Sequence, residues 1–416
     1  MSGPGDRGAT IPAMVGGGLV GLDAIREARA RVAAVIRPTP AFGSEHLSRL
    51  AGRPVLLKPE HLQRTGSFKV RGAVNAISRL PPGVEVAAAS AGNHAQGVAL
   101  AAALTGHRAT VFMPAAAALP KAQATRDYGA EVVRVGEGIE ECLAAAAAWA
   151  QERGAVLVPP FDHPDVIAGQ GTIGVELAEE APRAHTVVVP VGGGGLVAGV
   201  AAALAALRPG VRVVGVEAAG ADAVRRSLDA GRLVTLDAVS TIADGIALRC
   251  PSELTLAHIR AFVDDVVVVT DEEISQAMLM LLERLKAVVE PAGAAAVAAL
   301  MAGRVAGTGP AVAVLSGGNV DPLLLARLIE HGLAAAGRFL VLRAVLPDHP
   351  GALAALAGAL AAMGHNVLSV EHRRPGVHRA LGEVEVVVTL ETRDPEHRDE
   401  VVAALAADGF RVEPLS

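Results

Sequence analysis

The fold of this chain can be inferred from Thr186-Val187-Val188-Val189-Pro190-Val191-Gly192-Gly193-Gly194-Gly195-Leu196, an apolar segment that runs directly into four glycines. The β-branched residues favour a strand, and a Gly-rich turn behind a strand is where open α/β sheets bind their ligands. Glycines leave backbone amides uncovered, so at a helix N-terminus these amides can surround a phosphate. We interpret Gly192–Leu196 as a phosphate loop, because a flexible linker would not follow a continuous apolar strand so closely. The loop by itself does not indicate which phosphate is bound.

The alternation of strand and helix recurs along most of the chain. Alanine-rich helical stretches separate further short β-branched runs at Arg53–Lys58, Glu85–Ala89, Ala109–Met113, Glu131–Val135, Val156–Val158, Val211–Val216, Val266–Thr270 and Ala311–Leu315. Such alternation predicts parallel strands joined by crossover helices. Because 416 residues exceed the usual size of one hydrophobic core, we predict two or three domains and place the α/β region at residues 21–333.

A different pattern follows Gly332. Strands are predicted at Phe339–Leu346, Asn366–Glu371, Val384–Leu390 and Phe410–Glu413, and helices at Gly351–Met363 and Pro395–Ala407. The order βαββαβ is that of a ferredoxin-like module, which we place at residues 338–416. At the other end of the chain, residues 1–20 are rich in glycine and are expected to form a disordered tail.

Composition excludes several classes of partner. The formal net charge is −6 and both signs are scattered, so the chain offers no basic track for nucleic acid. The uncharged stretch 184–207 is long enough to cross a membrane, but Pro190 and the four glycines argue against a span. The two cysteines, Cys142 and Cys250, lack metal-ligand spacing, which favours free thiols in a reducing compartment such as the cytoplasm.

One lysine lies in an unusual setting, the segment Thr65–Asn75. Lys69 follows Gly66, Ser67 and Phe68, so its ammonium group stands among small residues and an aromatic ring. Lysine is the side chain that forms an imine with an aldehyde cofactor, and small neighbours allow a bulky group to approach. A solvated lysine at a helix start is the alternative, and this motif alone would favour that alternative.

A second polar turn, Ser90–Gly97, lies between a short apolar strand and a helix predicted at Val98–Leu104. A helix start has unpaired amides, and the short side chains of Ser90 and Asn93 add polar groups, so the turn can hold a carboxylate. The alternative is an ordinary capped helix in which His94 is structural. Capping needs only one such polar residue, so the dense polar run favours a binding site.

Two further polar residues interrupt apolar surroundings. Ser316 follows the strand that ends at Leu315, and its hydroxyl could bond a pyridine nitrogen without charging that nitrogen. Asn319, three residues later, could simply shape the turn. Glu290 opens an otherwise apolar helix, where a carboxylate would also be favoured by the helix dipole.

Four motifs in order, SFKVRGA from Ser67, SAGNHAQG from Ser90, GGGGL from Gly192 and SGGN from Ser316, carry a resemblance to a known family. Residues about 20 to 330 resemble the fold-type II pyridoxal phosphate enzymes, and among these the threonine ammonia-lyases, also called threonine dehydratases. This resemblance implies a catalytic region of two α/β lobes with parallel sheets, similar to the β subunit of tryptophan synthase. Residues about 338 to 412 resemble an ACT domain, an amino-acid-sensing module, through PDHPGAL from Pro347 and GHNV from Gly364.

The resemblance implies a cofactor, pyridoxal phosphate, and a role for each motif residue. Lys69 would hold the cofactor aldehyde and later remove the α-proton of the substrate, whose carboxylate Ser90 and the following amides would take. The cofactor itself would contact Phe68 at its ring, Asn93 at the ring oxygen, Ser316 at the ring nitrogen, Gly192, Gly193, Gly194, Gly195 and Leu196 at the phosphate, and Glu290. No metal ligands are assigned, although Glu217 lies near a cation site of some relatives, because Ala223 replaces one expected carboxylate.

The implied reaction is the deamination of L-threonine to 2-oxobutanoate and ammonia, with L-serine giving pyruvate. A serine or hydroxyaspartate ammonia-lyase is the alternative within enzymes, and a non-catalytic amino-acid sensor is the alternative outside them. ACT modules usually pair between subunits, so a homo-oligomer, a dimer or tetramer, is expected. Isoleucine or valine would be the natural effectors in branched-chain amino acid synthesis.

Overall fold

The structure, a computed structural model, describes residues 18–335, 337–373 and 382–415. Residues 1–17 of the predicted disordered tail therefore lie outside the described residues. The chain divides into two compact units after Val320. The helix Pro322–Ala335, which the sequence analysis assigned mostly to the α/β region, belongs to the second unit.

The first unit is built from alternating strands and helices, as the sequence predicts. Its strands are β1 (Phe42–Gly43), β2 (Val55–Lys58), β3 (Val86–Ala89), β4 (Ala109–Met113), β5 (Glu131–Arg134), β6 (Val156–Leu157), β7 (Thr186–Pro190), β8 (Arg212–Ala218), β9 (Asp265–Val269) and β10 (Ala311–Val314). Its helices are α1 (Leu22–Val32), α2 (Glu45–Leu50), α3 (Lys69–Ile77), α4 (Asn93–Thr105), α5 (Leu119–Asp127), α6 (Ile139–Arg153), α7 (Pro164–Glu180), α8 (Gly195–Leu207), α9 (Ala223–Ala230), α10 (Glu253–Phe262), α11 (Asp271–Leu285) and α12 (Pro291–Met301).

These strands form two sheets, which correspond to the two predicted lobes. The larger sheet has the order β1-β2-β10-β7-β8-β9, and only the short β1 runs antiparallel to its neighbour. The smaller sheet, β5-β4-β3-β6, is entirely parallel. Parallel strands place their carboxyl ends at one edge of a sheet, so the turns that follow β7 and β10 share one edge of the larger sheet. The α/β prediction is confirmed.

Two helices of the first unit pack against each other through small residues. Helices α7 and α8 touch where a Cβ on Gly171 would lie 2.9 Å from the carbonyl oxygen of Gly199, and one on Gly174 would lie 2.7 Å from that of Val200. Real Cβ atoms are almost never so close to another atom, so these two glycines allow the helices to approach each other closely. Gly171 and Gly174 therefore have a packing role, because a larger side chain at either position would separate α7 from α8.

The second unit contains α13 (Pro322–Ala335) and the predicted ferredoxin-like module. The module runs β11 (Phe339–Pro347), α14 (Ala352–Ala362), β12 (Val367–Arg373), β13 (Glu383–Glu391), α15 (Pro395–Ala407) and β14 (Arg411–Pro414). Its antiparallel sheet has the order β12-β13-β11-β14. Alternate residues of β11 and β13 are buried and join Leu356, Leu360, Val401 and Leu405 in one core. The βαββαβ prediction is confirmed.

A buried network of charged groups lies in the first unit just beyond the start of α3. The Arg71 side chain is fully buried and donates to both carboxylate oxygens of Glu60 at 2.8 Å. It also donates to the two oxygens of Glu176 at 2.6 and 2.9 Å. Lys58, equally buried, pairs with Glu176 at 2.7 Å. Burial of a charge is costly unless it is paired and hydrogen-bonded, so this network fixes α3 against α7.

No helix among the described residues combines the length and the apolar character of a membrane span.

We predict that Arg71→Met lowers the free energy of unfolding by about 3–5 kcal/mol, because it leaves the Glu60 carboxylate buried without its partner. Urea unfolding of the full chain measures the loss. Arg29→Met is the matched control, since Arg29 pairs with Glu179 at 2.6 Å but both side chains are exposed. That variant should lose less than about 1 kcal/mol. Equal losses in the two variants would contradict the importance of the buried network.

Candidate active site

Lys69 is the first residue of α3 and lines a cavity of about 330 Å3. Its Nζ donates to the carbonyl oxygen of Pro160 at 2.9 Å and lies 5.2 Å from the centre of the Phe68 ring. Burial lowers the pKa of Lys69 from 10.5 to about 8, and the nearby Glu290 opposes that shift. The amine is therefore much easier to deprotonate than a solvated lysine. Its burial argues against the alternative that Lys69 is a solvated residue at a helix start.

The glycine loop faces the same cavity. Gly192 and Gly193 follow β7, and Gly194 has a φ of 88°, a left-handed conformation that favours glycine. A Cβ on Gly193 would overlap the ring of Phe161, so the loop passes too close to that residue for any larger side chain. Helix α8 begins at Gly195, which leaves its first amides free to bind an anion.

The Ser90 turn joins β3 to α4. The structure begins α4 at Asn93, five residues before the predicted start at Val98, and His94, Ala95, Gln96 and Gly97 are buried in its first turns, so tertiary packing overrides the weak helix preference of His94 and Gly97. The Ser90 Oγ accepts from the amide of Gly92 at 3.1 Å and lines the cavity. His94 lies in the cavity wall, and its Nε2 is 2.8 Å from the carbonyl oxygen of Val158. Burial lowers the pKa of His94 to about 3, so the ring is neutral.

A chain of amide hydrogen bonds connects the polar turns. The Nδ2 of Asn93 donates to Glu290 Oε1 at 2.6 Å. The Nδ2 of Asn319 donates to Asn93 Oδ1 and to the carbonyl oxygen of Thr65, each at 2.7 Å. Asn319 therefore does more than shape its own turn, since it orients the side chain of Asn93.

Glu290 is the residue immediately before α12 and is almost fully buried. Burial, with a smaller contribution from the charge of Asp244, raises the pKa of Glu290 to about 7, whereas the hydrogen bond from Asn93 opposes the change. A carboxylate with a pKa near neutrality can be protonated or ionised at the pH of a cell.

Ser316 follows β10 and is buried in the same wall. Its carbonyl oxygen accepts from the amide of Phe68 at 3.1 Å, and the Gly317 carbonyl accepts from the amide of Glu290 at 3.0 Å. A Cβ on Gly317 would overlap the Glu290 carboxylate. The SGG turn thus holds the Lys69 segment and the Glu290 segment together through backbone contacts.

The cavity brings together every residue that the sequence analysis assigned to the site. Its wall includes Phe68, Lys69, Ser90, Asn93, Gly192, Gly193, Gly194, Gly195, Leu196, Glu290 and Ser316. Sequence reasoning missed Phe161, which packs on the glycine loop, and an ion pair between Lys121 and Asp244 at 2.9 Å. None of these three residues lies in a local sequence motif, and only the fold brings them to the cavity.

Glu217, near the end of β8, does not line the cavity. The two Glu217 oxygens accept hydrogen bonds from the amides of Val224 and Arg225 at 2.9 and 2.8 Å, so the start of α9 satisfies this buried carboxylate. Within residues 18–335, 337–373 and 382–415 the structure shows no group of three or more His, Cys, Asp or Glu residues placed to hold a metal ion.

The cavity fits pyridoxal phosphate. Free helix amides suit its phosphate group, a lysine of lowered pKa suits its aldehyde, and the loop glycines leave room that a Cβ would fill.

Comparison with known proteins agrees with this geometry. Residues 32–317 match the family described as "Pyridoxal-phosphate dependent enzyme", and residues 340–408 match the ACT domain. The L-threonine ammonia-lyase of Geobacter sulfurreducens is 47% identical over 94% of this chain and 98% of its own length. That of Thermotoga maritima is 43% identical over 95% of this chain and 99% of its own.

Among solved structures, maize serine racemase is 37% identical, with a TM-score of 0.71 over 76% of this chain and 99% of the racemase chain. The share of this chain that the racemase matches is about the size of the first unit, whereas the two ammonia-lyases match nearly the whole chain. This chain belongs to the family of pyridoxal-phosphate dependent enzymes, in the group that includes the L-threonine ammonia-lyases, and carries a C-terminal ACT domain.

Proposed function

We propose that the chain is an L-threonine ammonia-lyase that converts L-threonine to 2-oxobutanoate and ammonia and also accepts L-serine, giving pyruvate. The observation that carries the proposal is the placement of Lys69, with its lowered pKa, in one cavity with the glycine loop and the Ser90 turn. Similarity to two ammonia-lyases over nearly the full chain supports the choice of threonine.

Different residues of the cavity would have different roles in the reaction. The glycine loop and Leu196 would hold the cofactor phosphate, Phe68 and Asn93 its ring, and Ser316 its ring nitrogen. When bound, the cofactor supplies an electron sink for the charge that develops at the substrate α-carbon. Ser90 and the amides that follow it would bind the substrate carboxylate at the start of α4.

Lys69 would move the proton that starts the elimination. Burial destabilises the ammonium form and lowers the pKa of Lys69 to about 8, so a substantial fraction of the amine is neutral near pH 8 and can accept the α-proton without an added base. The β-hydroxyl then leaves, and water replaces the amino nitrogen to give the oxo acid and ammonia. A neutral hydroxyl at Ser316, where a carboxylate could have stood, would leave the ring nitrogen uncharged and would favour prompt elimination.

The first prediction concerns Lys69 itself. Lys69→Ala should reduce production of 2-oxobutanoate from L-threonine by at least about a thousandfold, because it removes both the cofactor attachment and the proton acceptor. Coupled detection of the oxo acid measures the rate. Lys286→Ala is the control, since Lys286 is an exposed lysine that does not line the cavity. Wild-type turnover of serine but not of threonine would show that serine is the substrate. A comparable loss of activity in both lysine variants would refute the catalytic role of Lys69.

The second prediction concerns the pH at which Lys69 captures its cofactor. Only the neutral amine attacks an aldehyde, so the rate at which cofactor-free protein takes up pyridoxal phosphate should rise with pH and level off above about 8. A solvated lysine would reach that level only near its model value of 10.5. Stopped-flow absorbance follows the uptake.

Glu290→Gln provides the matched variant for this experiment. The Glu290 carboxylate stabilises the Lys69 ammonium, so its removal should move the midpoint of cofactor uptake to a lower pH. A midpoint that stays fixed, or that moves to higher pH, would show that the two groups are not coupled as the structure indicates.

We further propose that the ACT domain binds an amino-acid effector, isoleucine or valine, and that the enzyme works as a cytoplasmic homo-oligomer, a dimer or tetramer. The Asp348–Gly351 loop supports an effector site, because it ends at the start of α14 with Gly351 in a left-handed conformation. The two cysteines are free, which fits a reducing compartment.

The corresponding prediction is that L-isoleucine or L-valine changes the rate of threonine deamination and raises the melting temperature. A ligand at a hundred times its dissociation constant stabilises the folded state by about 2.7 kcal/mol. D-Isoleucine is the control for nonspecific effects of the side chain. If neither L-amino acid alters rate or melting temperature, the effector assignment is wrong, while the catalytic assignment is untouched.

The rival functions use the same cavity. A serine or hydroxyaspartate ammonia-lyase would need the same cofactor and lysine, and the similarity to maize serine racemase keeps serine as a candidate substrate. A non-catalytic sensor would not need a lysine of lowered pKa beside the phosphate loop.

A further inference from the structure

The cavity contains an ion pair that the proposed mechanism does not use. Lys121, on α5, donates through Nζ to Asp244 Oδ2 at 2.9 Å, and Asp244 begins a short 3₁₀ helix, Asp244–Ile246. Both residues lie in the cavity wall, yet they are 123 positions apart in the chain. Lys121 is the more buried partner, with 24% of its side chain exposed against 64% for Asp244. The pair therefore stands where the cavity meets solvent.

The charges of the cavity show why this pair matters for the choice of substrate. The ionisable side chains in the described wall are Lys69, His94, Lys121, Asp244 and Glu290. Lys69 is needed for the reaction, and His94 is neutral because burial lowers its pKa to about 3. Lys121 is thus the one cation of the described wall that could receive a second substrate carboxylate, and Asp244 already holds it.

The surroundings offer no substitute for Lys121. Arg249, further along the segment after Asp244, pairs with Glu140 at 3.1 Å and does not line the cavity. Glu290 lies on the same side, since a Cβ on Gly245 would be 3.6 Å from its Oε1. An acidic substrate side chain would therefore meet the Asp244 carboxylate, the Glu290 carboxyl group and a cation that is already neutralised, and like charges at close range repel.

We propose that the Lys121–Asp244 ion pair restricts this enzyme to β-hydroxy amino acids with an uncharged side chain and excludes those with a second carboxylate. The inference rests on the proposed ammonia-lyase function and defines its substrate class. Asp244 acts by occupying Lys121, so removal of the Asp244 charge frees a cation for an acidic side chain. Removal of Lys121 as well abolishes that gain.

The kinetic test compares two β-hydroxy substrates, L-threonine and L-threo-3-hydroxyaspartate, which carry a methyl group and a carboxylate respectively. The ratio of kcat/KM for hydroxyaspartate to that for threonine should rise at least about fivefold in Asp244→Asn. It should fall back in Lys121→Met/Asp244→Asn, and Lys121→Met alone should not exceed the wild type. Asp244→Ser repeats the comparison if the Asn variant folds poorly.

Two results from the variants would overturn the proposal. One is an unchanged ratio in Asp244→Asn and Asp244→Ser, and the other is a raised ratio that persists in the double variant, because Lys121 would then not be the receiving cation. Wild-type enzyme that prefers hydroxyaspartate to threonine would also contradict it.

A binding measurement separates this inference from the proposed reaction. Calorimetric titration of the holoenzyme with succinate and with butyrate compares a dicarboxylate with a monocarboxylate of the same length, and neither can undergo elimination. Asp244→Asn should bind succinate at least about fivefold more tightly than the wild type does, with little change for butyrate. Equal changes for both acids would refute the role of the pair, whereas absence of threonine turnover in the wild type would refute only the proposed function.

Discussion

The structure of the site depends on the burial of a guanidinium group two residues beyond Lys69. Arg71 lies without exposure between Glu60 and Glu176, and its two acidic partners come from different elements of the first unit. A buried charge is tolerated only where its partners are held in place, so the network leaves α3 little freedom to shift. Lys69 is the first residue of that helix, and its position in the cavity follows from this constraint.

The exclusion of water from the cavity also determines the chemistry of the site. Burial makes the ammonium form of Lys69 and the carboxylate form of Glu290 less favourable, and it brings their pKa values to about 8 and about 7. Glycines at the ends of β7 and β10 let the backbone approach the cavity, and the start of α8 supplies amides for an anion. A lysine that can lose its proton and a cradle for a phosphate are thereby combined in one cavity.

Local sequence predicted much of this arrangement. Strands such as Ala109–Met113 and helices such as Pro395–Ala407 have the predicted bounds, because β-branched runs and alanine-rich stretches indicate their structure over a few residues. Most of the candidate site residues could be named because they lie in four compact motifs, whereas Glu290 was noticed as a lone carboxylate before an apolar helix. The role of Phe161 and the pairing of Lys121 with Asp244 could not be predicted, since they depend on contacts between distant parts of the chain. The start of α4 was placed too late, because Asn93 and His94 lack the apolar spacing that marks a helix.

The central claim is that Lys69, among the four lysines of the chain, holds the cofactor. Reduction of the holoenzyme with borohydride, followed by peptide mass spectrometry, tests it directly, because reduction makes the bond between lysine and cofactor permanent. The account predicts that the cofactor mass is found on the peptide that contains Lys69 and on no other. Cofactor attached at Lys121, or protein that carries no cofactor after reduction, would contradict the account.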